Sequence, residues 1–399
     1  MKLAYYPGCS LEGSGIEYGM STERTADILG IELVELDDWN CCGATSGHNT
    51  NKLLSLALPA RNLAIAEQMG LPMLAPCAAC YNRHRNTEHV IKNDPEMRET
   101  IAQLIEMELQ GTAETVSILE VLANQVGIEQ IASKVTRPLL GMKAVCYYGC
   151  LLVRPVEHTG FDDPEDPQTM DRIVRALGAE TLDWSHKTEC CGASLVTSRP
   201  EVGNRMLYQI LRNAKEAGAE CIVTACPLCG MNLDMRQGQV EKEFNTKFDL
   251  PVYYVTELVA WAAGESRQAV GIDRHFVEAG RYLDEVAVRA EKIKAEKEAQ
   301  AQAKAKAAAQ AKKAGDQADE DPEARQKKID AMVKAFEKNP DKMVKRLIED
   351  EERAAILLEV IREDSKKTAR LAELMVDDAE KASKAAEAYV TAELKKRAK

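Results

Sequence analysis

The chain has 399 residues, 45% of them hydrophobic, enough for two domains with buried cores. It holds no run of 18 apolar residues, so no membrane insertion is expected, and the opening MKLAYYPGCS lacks the apolar stretch of a signal peptide, which points to a cytoplasmic protein. The formal net charge is −12; from Glu285 onward there are 27 basic and 25 acidic residues, leaving 25 basic and 39 acidic for the first 284, an acidic body that argues against nucleic acid as a partner.

Read in order, the first 284 residues alternate strand and helix twice. Residues 2–6 form a strand that ends at Pro7-Gly8-Cys9. A helix over 21–29 stops at Gly30, and a strand over 31–36 runs toward Cys41-Cys42-Gly43. A helix over 53–69 stops at Gly70, and the strand 71–75 leads at once to Cys77 and Cys80. The order then repeats. Strand 144–148 leads to Cys150, helix 171–177 precedes Gly178, and strand 181–184 leads toward Cys190-Cys191-Gly192. Helix 201–217 and strand 221–225 lead to Cys226 and Cys229. Such alternation predicts βαβ units, an α/β fold of two similar domains with short parallel sheets and flanking helices. All the motif cysteines then lie just past strand C-termini, where α/β sheets form their crevices.

The expected domains are 1–138, including a helical connector from about residue 86, and 139–284. The connector's best amphipathic stretches are 97–109 and 116–126. Residues 285–328 are rich in Ala, Lys and Glu and read as a linker or exposed helix. Residues 329–399 read as an α-helical C-terminal extension, with Ile329, Met332, Val333 and Phe336 at helical spacing and a break at Asn339-Pro340. The extension either packs on itself or docks a partner; spacing alone does not choose.

Ten of the twelve cysteines form two copies of one pattern: a lone Cys, Cys-Cys-Gly, then Cys-x-x-Cys. Each copy places 34 residues between the Cys pair and the Cys-x-x-Cys, while 31 and 39 residues separate the lone Cys from the pair. In a reducing compartment, clustered thiols mean metal or redox chemistry rather than disulfides. Zinc and a cubane iron–sulfur cluster each take four thiolates, so a fifth in both copies points to something larger. Gly43 and Gly192 supply the freedom for the turn that aims two adjacent thiols at one group. Cys146 and Cys221 have no counterparts in the first copy and read as buried structural residues.

The runs Tyr5-Tyr6-Pro7-Gly8-Cys9-Ser10-Leu11-Glu12-Gly13, Asp38-Trp39-Asn40-Cys41-Cys42-Gly43-Ala44 and Pro76-Cys77-Ala78-Ala79-Cys80-Tyr81-Asn82 resemble the B subunits of heterodisulfide reductases, a CCG-domain family. Tyr148-Gly149-Cys150, Arg154-Pro155, Phe161-Asp162-Asp163-Pro164, Cys190-Cys191-Gly192-Ala193 and Cys226-Pro227-Leu228-Cys229 extend the resemblance to about residue 265; the helical tail has no counterpart in it. The resemblance implies two non-cubane [4Fe-4S] clusters that serve as the catalytic centre. Cys9, Cys41, Cys42, Cys77 and Cys80 would hold one, and Cys150, Cys190, Cys191, Cys226 and Cys229 the other. It further implies an oxidoreductase that reductively cleaves a disulfide between the clusters. In methanogenesis that substrate is CoM-S-S-CoB; a related small-molecule or protein-thiol disulfide is the wider class. Electrons would come from a ferredoxin-like C subunit and a flavin-containing A subunit. The chain itself carries no G-x-G-x-x-G after its first strand, no P-loop and no C-x2-C-x2-C run.

His48, His84, Arg154 and His158 lie near the motifs and are the candidates for contacting an acidic substrate, with Arg85 beside them. Two other readings stay open. One is a related CCG subunit of a thiol:fumarate reductase, lactate-utilisation or sulfur-oxidation complex, acting on another thiol or relaying electrons. The other is a zinc-stabilised scaffold without redox chemistry.

Overall fold

A computed structural model describes residues 1–44, 47–316, 322–348 and 350–397, with side chains left undescribed at 305–316 and 322. The part of the expected linker at 317–321 lies outside the described residues. The chain forms two compact units, Met1–Lys297 and Glu298–Lys399.

The first unit contains both repeats, each built on a four-stranded parallel sheet. In the first repeat, β1 (Lys2–Tyr5), β2 (Glu32–Glu35), β3 (Met73–Leu74) and β4 (Thr115–Val116) lie in the order β2-β1-β3-β4. In the second, β5 (Lys143–Tyr147), β6 (Glu180–Thr181), β7 (Cys221–Thr224) and β8 (Val252–Tyr254) repeat that order. The inner strands are apolar and buried on both faces, as parallel sheets covered by helices require.

Each sheet thus has one strand more than its sequence pattern suggests. The 116–126 stretch does not begin as a helix. Thr115 and Val116 pair with β3, whose open edge offers Met73 N–H to Glu114 O at 2.8 Å and Ala75 N–H to Val116 O at 3.1 Å. Helical structure starts only after Ser117, whose capping box with Glu120 opens a short helix, followed by a π-helical turn over Val121–Gly127. β8 is three residues long, too short to leave a period in the sequence. β6 covers Glu180–Thr181 rather than 181–184, because the chain turns away and Trp184 donates its indole N–H to Cys146 O at 3.0 Å.

The helices Lys52–Met69, Thr169–Ala176 and Pro200–Glu216 lie within two residues of expectation. The helix ending at Gly30 starts earlier, spanning Ile16–Leu29, and its added turn carries Tyr18. That helix crosses to the second repeat. Ser21 Oγ lies 2.7 Å from Thr256 Oγ1, Thr25 Oγ1–H donates to Thr256 O at 2.9 Å, and Tyr18 stacks on Tyr254 with centroids 4.3 Å apart. These buried contacts make the two repeats one body.

Glu285 lies inside a helix spanning Gly280–Asp316, whose early turns bury Leu283, Val286 and Ala290. The second unit is a small helical bundle with a core of its own. Phe336, Met343, Val344, Leu357, Ile361, Leu371 and Val390 are buried together, and Met332 and Val333 pack against them. Asp350 and Asp364 cap two of its helices through their side chains, and Pro340 sits in the first turn after Asn339.

Candidate functional site

Three strand ends bring the five thiols of each repeat together. In the first, Cys9 follows β1 inside the one-turn helix Gly8–Leu11, and Cys41-Cys42 occupy the loop after β2. Cys77 is the N-cap of helix Ala78–Asn93, and Cys80 lies in its first turn. Cys9 and Cys41 sulfurs are 3.8 Å apart, and those of Cys42 and Cys80 are 3.3 Å apart. The second repeat matches it: Cys226 caps helix Pro227–Met235, and Cys191 and Cys229 sulfurs stand 3.6 Å apart. Cys42, Cys77, Cys80, Cys191, Cys226 and Cys229 are buried, Cys150 and Cys190 half-buried, Cys9 and Cys41 exposed.

Matching turns aim the paired thiols. Gly43 and Gly192 adopt φ of 71° and 75°, and their N–H groups point at Cys41 Sγ (3.5 Å) and Cys190 Sγ (3.4 Å). A tyrosine behind each turn holds the carbonyl before the Cys pair. Tyr6 O–H donates to Asn40 O at 3.0 Å, and Tyr147 O–H to Glu189 O at 2.6 Å.

The two nests meet. Ala78 and Ala79, which follow Cys77 in the first repeat, line the same cavity of about 110 Å³ as Cys226 of the second. Ala44, Ala78 and Ala79 of the first repeat line it together with Cys150, Cys190, Cys191, Cys226 and Cys229 of the second, and Tyr148, Leu151 and Leu228 are among its walls.

Crowding sets the charge. Interaction first with Cys41 and then with Cys80 holds the Cys42 thiol well below its ordinary range, and interaction with Cys229 and then Cys77 does the same for Cys226. Cys190 is lowered to about 6, first by its bond with Cys150. Their neighbours are pushed up: Cys41 first by Cys42, Cys77 by Cys226, Cys80 by Cys42, Cys150 by Cys190 and Cys229 by Cys191. Thiols this close cannot all ionise unless cations stand among them.

The residues fit a thiolate-held metal group. All five donors in each nest are soft sulfurs. A Cβ added at Gly8 or Gly149 would stand 3.4 or 3.2 Å from the sulfur of Cys80 or Cys229, so the backbone keeps this space clear. Among the described residues, no three His, Cys, Asp or Glu groups converge on one ion position. Zinc asks four donors to converge at about 2.3 Å, whereas a multi-iron group spans more space.

The four polar candidates are scattered, and none lines the cavity. His48 is exposed in the turn Gly47–Thr50. His84 is fully buried behind the first nest; Nδ1 lies 2.8 Å from Cys80 O and Nε2 3.3 Å from Asn62 Nδ2, and burial lowers its pKa. Arg154 spends its guanidinium on Pro164 O (2.9 Å) and Glu165 (3.1 Å). His158 is held by its carbonyl, which accepts from Arg85 Nε at 2.8 Å, while its buried Nε2 has no partner. Cys146 and Cys221 are buried on neighbouring strands, as expected. Arg83, absent from the candidates chosen by sequence, lies one helical turn past Cys80; its signal was the i,i+3 spacing from a motif cysteine.

The chain matches the CCG family, a cysteine-rich domain, twice, over residues 3–83 and 144–234. It is 35% identical over 281 residues to the 8-methylmenaquinol:fumarate reductase membrane anchor subunit of Wolinella succinogenes, spanning 70% of this chain and 98% of that protein. It is 32% identical to the B subunit of the ferredoxin/F(420)H(2)-dependent CoB-CoM heterodisulfide reductase of Methanosarcina acetivorans, over 71% of this chain and 97% of that one. The chain belongs to the CCG-domain family of heterodisulfide reductase B subunits. This CCG protein is thus an iron–sulfur redox subunit, and its relatives work as parts of multi-subunit complexes. Its fold resembles a hypothetical protein from Helicobacter pylori, with a TM-score of 0.57 and 14% identity, covering 69% of this chain and 52% of that one. Among the described residues of this CCG protein, no helix is long and apolar enough to cross a membrane.

Proposed function

We propose that the chain is the catalytic subunit of a disulfide reductase, that each nest holds one non-cubane [4Fe-4S] cluster through its five cysteines, and that the substrate disulfide opens between the nests. The cavity lined by both repeats, with Ala78 next to Cys77 on it and Cys226 in its wall, carries this reading. Opening a disulfide takes two electrons and two protons and yields two thiols. When bound, the clusters supply those electrons singly, with iron to attract sulfur.

The chain's own residues shape the rest. Ala44, Ala78, Ala79 and Ala193 leave room at the cavity, and Leu151 and Leu228 keep water from it. The helix N-terminus at Cys226 favours the thiolate form of its sulfur. Tyr6 and Tyr147 hold the paired-cysteine turns in place. With no nucleotide-binding motif in the chain, electrons arrive from partner subunits, a ferredoxin-like C subunit and a flavin-containing A subunit.

A second reading rests on the Wolinella relative, whose name couples a methylmenaquinol to fumarate. Here the same nests would relay electrons drawn from a quinol. Oxygen-free purification followed by iron and sulfide analysis tests the clusters, with about four of each expected per nest. Viologen-linked reduction of CoM-S-S-CoB and simple disulfides, set against oxidation of a menaquinol analogue, separates the readings. Iron-free protein sinks both, and a loaded chain that opens no disulfide sinks the first.

A further inference from the structure

The nests share their thiols but not the charge around them. Helix Ala78–Asn93 places Arg83 three residues after Cys80, and helix Pro227–Met235 places Asn232 three residues after Cys229. These are equivalent positions, each next to a nest cysteine on its helix face. Asn232 is neutral and fully buried, and its Nδ2–H donates to Cys191 O at 2.7 Å. Arg83 is a half-buried cation.

Arg83 has no carboxylate partner among the described residues, in a chain of net charge −12. Its hydrogen bond goes to neutral Asn82 Oδ1 at 3.0 Å. Asn82 is pinned by its amide to Leu151 O (2.9 Å) and Arg154 O (2.7 Å), which fixes the acceptor that Arg83 uses. A desolvated cation without an anion is costly, so an anion belongs beside it. The first nest stands one helical turn back, at Cys80 on the same helix. A buried cation of the second repeat, Lys187, is instead neutralised by Asp166 at 2.8 Å and Asp171 at 3.6 Å.

A second position points the same way. The residue before each Cys pair is Asn40 in the first nest and Glu189 in the second, each one peptide from a nest cysteine. One nest therefore has a cation and a neutral amide at these two positions, and the other has a neutral amide and an anion. Adding an electron adds negative charge, which a nearby cation stabilises and a nearby anion opposes.

Resting on the cluster reading above, we infer that Arg83 is the counter-charge of the first nest, and that the cluster held there accepts an electron at the higher potential. The first electron from a donor then settles in the nest of Cys42 before the nest of Cys191 fills. Arg83 acts through this field and takes no part in bonds to the substrate.

The test is an oxygen-free redox titration, followed by electron paramagnetic resonance, of the full chain loaded with iron and sulfide. Two one-electron transitions at separate potentials are expected. Arg83→Gln should lower the upper one by about tenfold in its equilibrium, about 59 mV, and leave the lower in place. Arg83→Lys keeps the charge and should restore most of the shift. In the Cys190→Ser chain, which disables the second nest, the surviving transition should be the upper one. Coincident potentials in a fully loaded chain, an unmoved upper transition in Arg83→Gln, or an equal fall in Arg83→Lys overturns this inference alone. A chain that takes up no iron overturns the cluster reading and this inference together. Loss of iron from the first nest in Arg83→Gln but not in Arg83→Lys supports the counter-charge; loss in both overturns it.

Discussion

The first nest and the second differ less in their sulfurs than in what stands behind them. Behind the first, neutral groups cooperate: Asn62 donates to Asn40 O at 2.9 Å and meets His84, which reaches Cys80 O. Behind the second, a charged network sits under the Cys150 loop. Tyr148 O–H donates to Asp171 at 2.7 Å, Lys187 pairs with Asp171, and Lys187 O accepts from the N–H groups of Tyr148 and Gly149. The comparison teaches that thiol placement is common to both repeats, while electrostatic surroundings are free to diverge. That is how a repeated scaffold makes two unequal sites.

The sharpest way to break the comparison is to remove one nest at a time. Cys42→Ser and Cys191→Ser should each lose the iron of their own nest, read by elemental analysis. If both nests share one disulfide, each variant should drop viologen-linked reductase activity by more than about 100-fold, because groups that act as a unit are not additive. A fall to one half would mean that the nests work separately.

Next in size is His275, which belongs to the second repeat alone. Its Nδ1 lies 3.1 Å from Asp234 and its Nε2 2.9 Å from Glu257, all three side chains being buried. Burial works to lower its pKa, but Glu257 and Asp234 overcome it and raise it to about 11. The charge therefore stabilises the fold fully below about pH 6.5, the ordinary histidine value, and that contribution is lost as pH rises through about 11. His275→Gln, which leaves two buried carboxylates unpaired, should cost about 3–5 kcal/mol and remove this alkaline decline from thermal melts. A wild-type chain whose melting point holds steady from neutral pH to pH 11 would refute the buried ion pair.

A smaller effect separates the two paired-cysteine turns. Both Gly43→Ala and Gly192→Ala strain a positive φ, at about 1–3 kcal/mol. At Gly43 the new Cβ meets the tip of Leu58 at 2.7 Å, which can swing aside; at Gly192 it meets the Gly203 backbone at 3.0 Å, which cannot. Gly192→Ala should therefore be the less stable in chemical denaturation, and the reverse order would contradict this packing.

The smallest contrast is between Tyr6→Phe and Tyr147→Phe. Asn40 O keeps its bond from Asn62 when Tyr6 is changed, whereas Glu189 O has no second donor among the described residues. Losing one such bond costs about 1 kcal/mol, so Tyr147→Phe should melt lower than Tyr6→Phe.

The cysteine pattern was legible because metal chemistry is written in residue type and spacing, and βαβ alternation places those residues at strand ends. The edge strands were not. Thr115–Val116 and Val252–Tyr254 are too short to carry a period, and each becomes a strand only because a neighbour offers an open edge. Proximity along the chain also says little of where a polar group ends up. His84 sits next to a motif and ends up buried behind it, and Arg154 ends up tied to Glu165.

By itself the sequence determined the duplication, the ten clustered thiols, the α/β repeat and the separate helical tail, since each follows from local pattern and composition. Tertiary structure alone decided that Cys226 and the residues beside Cys77 line one cavity, that Tyr18 and Tyr254 weld the repeats together, and that Arg83 lacks a carboxylate among the described residues. Those facts join residues far apart in the chain. The packing of one repeat against the other sets them, and no local pattern encodes it.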